Sequence, residues 1–181
     1  MSVDAIAIEL GVDLIALVDE TKGGNLVERI SRIRRQIVQE MGLIVPSVTL
    51  RDNLRLDGGE YRILLRGEEI GRGRVVPRQH LAINPGDADE GLHGLSTIDP
   101  VFGLEALWII DKNKLDAQAK GYTVVDVPTV VTTHLTEILN QYGHELYSRN
   151  QLNNMLERVG DENPKLVDEL IPDQLPRSSV L

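Results

Sequence analysis

Cysteine is absent from the 181 residues. That excludes disulfides, thiolate metal sites and a cysteine nucleophile, and it suits a reducing compartment. Aromatic residues are scarce at 3 %, and Trp108 and Phe102 are each the sole member of their type. The core must therefore be aliphatic. Positive charge is also short: 19 Lys and Arg stand against 28 Asp and Glu, for a net charge of -9. That argues against a general nucleic-acid binder, which needs a clustered positive field to meet phosphates. It also argues against electrostatic adhesion to anionic membrane. No run reaches the roughly 18 apolar residues of a membrane helix. Met1-Ser2-Val3-Asp4 lacks the basic-then-apolar order of a secretory signal. By itself the chain reads as soluble, with room for one ordinary domain or two small ones.

What is present is a pattern of short strands and amphipathic helices. Ala5 to Leu10 alternates and Leu14 to Val18 is apolar; both are predicted as strands. Asn25 with Glu28 three residues on has capping-box spacing. Leu26, Ile30, Ile33, Ile37 and Met41 then form one helical stripe, closed by Gly42. Val48 to Leu56, Tyr61 to Leu65 and Ile70 to Val76 are predicted as a β-meander packed on that helix. Leu81-Ala82-Ile83 is a short strand. Asp87 to Leu95 reads as an exposed loop with little to bury. Leu104 to Ile110, a helix over Lys114 to Lys120, and Tyr122 to Val125 complete a β-α-β unit. Pro128 opens a long helix with Val131, Leu135, Ile138, Leu139, Tyr142 and Leu146 inward. Further helices are predicted from Ser148 and from Asn163-Pro164. The fold class is thus α+β: a small α/β part, an inserted β-α-β part, and a helical end.

No catalytic constellation accompanies this pattern. The four histidines, His80, His93, His134 and His144, include no i, i+4 pair and no H-E-x-x-H motif. Gly71-Arg72-Gly73-Arg74 lacks the third glycine and the helix of a dinucleotide loop. Gly91-Leu92-His93-Gly94 is not a Walker loop, and no G-x-S-x-G elbow occurs. His93 beside acids is the only foothold for an enzyme, and a weak one. The Arg29 to Arg35 cluster is read as pairing with nearby acids or lying on an oligomer contact. No cofactor and no metal are expected. Phe102, in Thr97-Ile98-Asp99-Pro100-Val101-Phe102-Gly103, is either a plug of a small core or an apolar recognition spot. Sequence physics leaves both open.

Several segments in register resemble one family. They are Ile30-Ser31-Arg32-Ile33-Arg34-Arg35, Glu60-Tyr61-Arg62-Ile63-Leu64-Leu65-Arg66-Gly67, Leu81-Ala82-Ile83-Asn84-Pro85-Gly86, Asp99-Pro100-Val101-Phe102-Gly103-Leu104, Gly121-Tyr122-Thr123-Val124-Val125-Asp126 and Thr129-Val130-Val131-Thr132-Thr133-His134-Leu135. Together they resemble the cytoplasmic region of the FlhA family of type III protein export gates, flagellar rather than virulence. The resemblance implies a membrane-embedded half outside this chain and a cytoplasmic half that forms a nonameric ring. It implies a first subdomain over 2–77 and 127–147, a second inserted over 78–126, and the start of a third over 148–181, so the Pro176 to Leu181 ending is expected to be a truncation. It implies docking of flagellar export chaperones with bound substrates, and contact with other export-apparatus proteins, at the cytoplasmic side of the inner membrane. The family's docking dimple carries over to Asp99, Phe102 and Thr133, with Pro100, Val101 and Gly103 in the same segment. Val101 stands where Ala is commoner. Asp99 and Thr133 are expected to orient an apolar chaperone side chain on Phe102. The rival reading is a mainly structural, ring-forming module of a virulence export gate.

Overall fold

The computed structural model describes residues 4–143. The chain divides into two compact units, 1–137 and 138–181. The first holds two four-stranded sheets; of the second, the described residues 138–143 are helical. The helices expected from Ser148 and Asn163, and Leu146, lie outside the described residues.

The first sheet has the order β2-β1-β3-β4, with β1 Ile6–Leu10, β2 Val48–Asp52, β3 Glu60–Leu65 and β4 Glu68–Arg74. It is not the meander the sequence suggests. β1 lies between β2 and β3 and runs parallel to β2. A parallel pair needs a long crossover, and helix α1, Leu26–Met41, provides it. The central position also explains the sequence of β1. Ile6, Ala7 and Ile8 are all buried, as a strand covered on both faces requires. β3 and β4 form a hairpin whose turn residues, Arg66 and Gly67, both have positive φ, the backbone of a type I′ turn.

Leu14 to Val18 is not a strand. A 3-10 helix covers Val12–Leu17, because the chain turns at Gly11. There the Gly11 N–H donates to the Glu60 carbonyl at 2.8 Å and the Asp13 N–H to that of Gly58 at 3.0 Å. Only Leu14 of this run is buried, while Val12 and Ile15 are exposed. α1 begins and ends where predicted, and Gly42 caps it in the left-handed region, its N–H donating to Val38. The capping box does not form. Asn25 Oδ1 instead accepts from Arg29 Nε, and Glu28 pairs with Arg32.

The second sheet has the order β6-β7-β5-β8. Its strands are β5 His80–Ile83, β6 Leu95–Ile98, β7 Glu105–Ile109 and β8 Thr123–Asp126, with α2, Lys114–Ala119, packed on one face. Two features differ from expectation. β6 falls partly in the presumed loop, and Leu92 within that loop is buried with Ala82, Ile109 and Ala117. The single alternation of a four-residue edge strand is too brief to stand out from acidic, glycine-rich surroundings.

The long helix α3 occupies residues 127–143 of those described. It starts one residue before Pro128. Asp126 caps it by accepting the Thr129 N–H at 3.0 Å and the Thr129 hydroxyl. Arg29 of α1 reaches the same cap, donating to Asp126 Oδ2 at 3.1 Å and Thr129 Oγ1 at 3.0 Å. Burial pushes the Asp126 carboxyl up, but the Thr129 hydrogen bonds and the Arg29 charge outweigh it and hold the pKa low. Val131, Leu135, Ile138 and Leu139 are buried, as their spacing predicts.

Candidate functional site

The β6–β7 turn is built as one capped helical turn. Asp99 opens it: one carboxylate oxygen accepts the Val101 N–H at 3.1 Å and the other the Phe102 N–H at 2.8 Å. Pro100 follows the cap, where its missing N–H costs nothing. The Gly103 N–H then donates to the Asp99 carbonyl at 3.0 Å, and Gly103 sits at φ +73°, a conformation that suits glycine. The Asp99 N–H donates to the Leu104 carbonyl at 2.8 Å and closes the base. Asp-Pro-x-Phe-Gly is thus a complete start and stop signal compressed into five residues.

This turn decides what Phe102 does. Phe102 is 58 % exposed, so it is not a core plug. Asp99, in contrast, is only 2 % exposed. Its oxygens face the turn's own amides, so it holds Phe102 out from within rather than presenting itself at the surface. Leu104, beside the turn, is also exposed, and Val101 is half-buried.

Behind Asp99 lies a buried polar group that sequence reasoning missed. The Tyr61 hydroxyl of β3 and His134 Nδ1 of α3 share a hydrogen bond of 2.7 Å, with the rings edge to face at 5.7 Å. Burial pushes the Tyr61 phenol far above its ordinary value, and the Asp99 charge adds to this. Burial lowers the His134 pKa, and the Asp99 charge opposes it in part. Asp99, Tyr61 and His134 are thus near enough to feel one another's charge. The available signal was an aromatic and a histidine each at an inward position of its element; their 73-residue separation hid the pairing. Thr133 precedes His134 and is half-buried. Thr132 and Thr136 turn their hydroxyls back onto helix carbonyls, whereas Thr133 makes no side-chain hydrogen bond among the described residues.

The lowered His134 pKa has a measurable consequence. Above about pH 6.5, histidine is neutral in both folded and unfolded chains. As pH falls below that value, the unfolded chain takes up a proton that the folded chain refuses until its lower pKa is reached. Stability therefore declines across that window. The melting temperature should fall more steeply between pH 7 and 5 for the parent than for His134→Gln; equal slopes would remove this account.

Two other features lie apart from this site. A groove of about 430 Å³ runs between α1 and β2, lined by Val27, Ile30, Arg34, Val48 and Leu50 among others. Of the Arg cluster, Arg29, Arg32 and Arg34 are each bonded within the chain, the last to the Val45 carbonyl at 3.0 Å. Arg35 is exposed and without a partner among the described residues. No group of three metal-ligating side chains occurs among the described residues. None of their helices is long and apolar enough to cross a membrane.

The fold is shared with solved cytoplasmic domains, one of them from a type III secretion system. The Chlamydia pneumoniae CdsV protein superposes with a TM-score of 0.69 at 23 % identity, covering 96 % of this chain and 52 % of that one. The nonameric EscV cytosolic domain from a type III secretion system gives 0.53 at 13 % identity, covering 94 % and 48 %. Sequence narrows the class. The chain belongs to the FHIPEP family, which matches residues 1–181. It is 45 % identical over 172 residues to the flagellar biosynthesis protein FlhA of Proteus mirabilis, across 95 % of this chain. It spans about a quarter (25 %) of that relative's length.

Proposed function

We propose that this chain is a cytoplasmic docking module of a flagellar type III export gate, and that it captures export chaperones carrying their substrates at Phe102. The observation that carries this reading is the 58 % exposure of the sole Phe on a turn whose buried cap fixes its position. A large apolar side chain held rigidly in water gains on being covered, and losing little freedom on binding makes it an efficient anchor. In this reading Asp99, Pro100, Val101 and Gly103 build the turn, and Thr133 offers a free hydroxyl from α3. The first sheet with α1 and α3 is the first subdomain, and the second sheet with α2 is the insertion at 78–126. The parent protein would be anchored in the inner membrane, with this region on its cytoplasmic side. It would assemble as a ring, as the nonameric neighbour does.

Calorimetric titration of the chain with a flagellar chaperone–filament-protein complex tests this. Phe102→Ala should weaken binding by about 1–3 kcal/mol, roughly 5- to 150-fold. Unchanged affinity in a variant that melts like the parent would remove Phe102 from the dock.

A further inference from the structure

The apolar layer under α1 does not close at β2. Ile6 and Ile8 of β1 are buried. Their register partners, Val48 and Leu50, carry the same face of the sheet one strand further, yet both are only half-buried. The groove of about 430 Å³ lies where these two meet Val27 and Ile30 of α1. Val27, one of its walls, is 45 % exposed.

The same groove holds a charge without a counterion. Arg34 lines it and is half-buried. Its Nε and Nη2 both donate to a single acceptor, the Val45 carbonyl, at 3.3 and 3.0 Å. Nη1 has no partner, and the guanidinium no carboxylate, among the described residues. Arg29 and Arg62 are also half-buried, and they pair with Asp126 and Glu9. A guanidinium withdrawn from water normally has such a partner, and this chain has acids to spare, 28 against 19 bases. Ser31 and Ser47 line the groove as well and make no side-chain hydrogen bond among the described residues. Apolar walls, an open guanidinium and two free hydroxyls in one groove call for an apolar segment that brings its own carboxylate.

We infer that the groove between α1 and β2 docks a segment of a partner protein in which one Asp or Glu stands between aliphatic residues. The aliphatic side chains complete the layer left open at β2, and the carboxylate pairs with Arg34. This goes beyond docking on Phe102 and does not rest on it, because the groove takes no residue from the 99–103 turn.

The probe is the acetylated and amidated peptide Ser-Gly-Leu-Val-Glu-Val-Leu-Gly-Ser, beside a twin with Gln for Glu, each added to the full 181-residue chain. Methyl NMR signals of Val27, Val48 and Leu50 report occupancy and should shift saturably with the Glu peptide. The twin should bind about tenfold more weakly, since it loses the charge on its hydrogen bonds to Arg34. Arg34→Gln should bind both peptides with the same weak affinity, because the two changes remove one pair. Arg34→Lys keeps the charge without the fork and should fall between. Val27→Ser should weaken both peptides alike. Phe102→Ala should change none of these affinities, so this site and the chaperone dock fail separately. Equal binding of the two peptides to the parent would overturn the inference, as would a preference for Glu that survives in a folded Arg34→Gln chain. Methyl signals that ignore both peptides would overturn it too. Signals that move with chain concentration alone would give the groove to a second copy and overturn the assignment to a partner protein.

Discussion

Asp99→Ala should melt well below the parent and, if Phe102 is the dock proposed above, should bind partners poorly, although Asp99 itself is only 2 % exposed. Its carboxylate takes two amides, those of Val101 and Phe102. A hydrogen bond to a charged group contributes about 1.5–3 kcal/mol, and the amides left behind would be partly desolvated. The two bonds close the same turn, so their losses overlap; about 3 kcal/mol in total is expected. In a first unit of this size that corresponds to roughly 10 °C in melting temperature. Asp99→Asn keeps one acceptor oxygen and should fall between the two. Docking should weaken as well, because a loosened turn no longer holds Phe102 in one place and binding must then order it. A second readout separates this from general damage. Asp99 opposes the burial effect on His134, so without it the pH at which His134 protonates should drop further. Thermal melts from pH 7 to 5, beside the calorimetric titration, measure all three. A variant with parental stability would show that the turn stands without its cap.

Much of this arrangement is legible in the chain before folding, and the parts that are not share a cause. α1, the Arg66-Gly67 hairpin, α2 and the inward face of α3 each depend on residues within one element, so periodicity and turn chemistry find them. The parallel pairing of β1 with β2 depends on residues about forty positions apart, Ile6 with Val48 for example. Periodicity says that both are strands but not which neighbours they choose. Leu14 to Val18 misleads because its apolar content suits a strand, while the Gly11 and Asp13 hydrogen bonds to the 57–60 turn compel the chain to coil. The site is less legible. Asp99, Pro100 and Gly103 lie within five residues, yet the capped turn they build was not read from the sequence and is seen only in its hydrogen bonds. The choice between plug and exposed anchor for Phe102 rests on what surrounds the turn, which no local pattern encodes. The Tyr61–His134 pair behind it is a tertiary contact and equally silent in the sequence.

That pair also governs the second large effect. Gly73 of β4 stands directly across from Tyr61 on β3, and the phenol lies over its Cα. A Cβ at this position would come within 2.4 Å of the Tyr61 Oη and 2.5 Å of Cζ, far inside any allowed contact. The ring has nowhere to go, because Tyr61 is fully buried and tied to His134. Gly73→Ala must therefore shift the ring or spread the strands. Overpacking of this kind costs about 1–3 kcal/mol, occasionally more. Displacing the hydroxyl from His134 adds a further 1–2 kcal/mol. A loss of about 3 kcal/mol or more is expected from adding one methyl group. The cause can be isolated with a double-mutant cycle. In Tyr61→Ala the ring is gone, so adding Gly73→Ala should cost little, and the coupling between the two sites should exceed about 1 kcal/mol. If the two losses simply add, the ring is not what makes glycine necessary here. If they couple, the glycine of β4, the tyrosine of β3 and the histidine of α3 act as one unit, whose two titratable members feel the Asp99 charge.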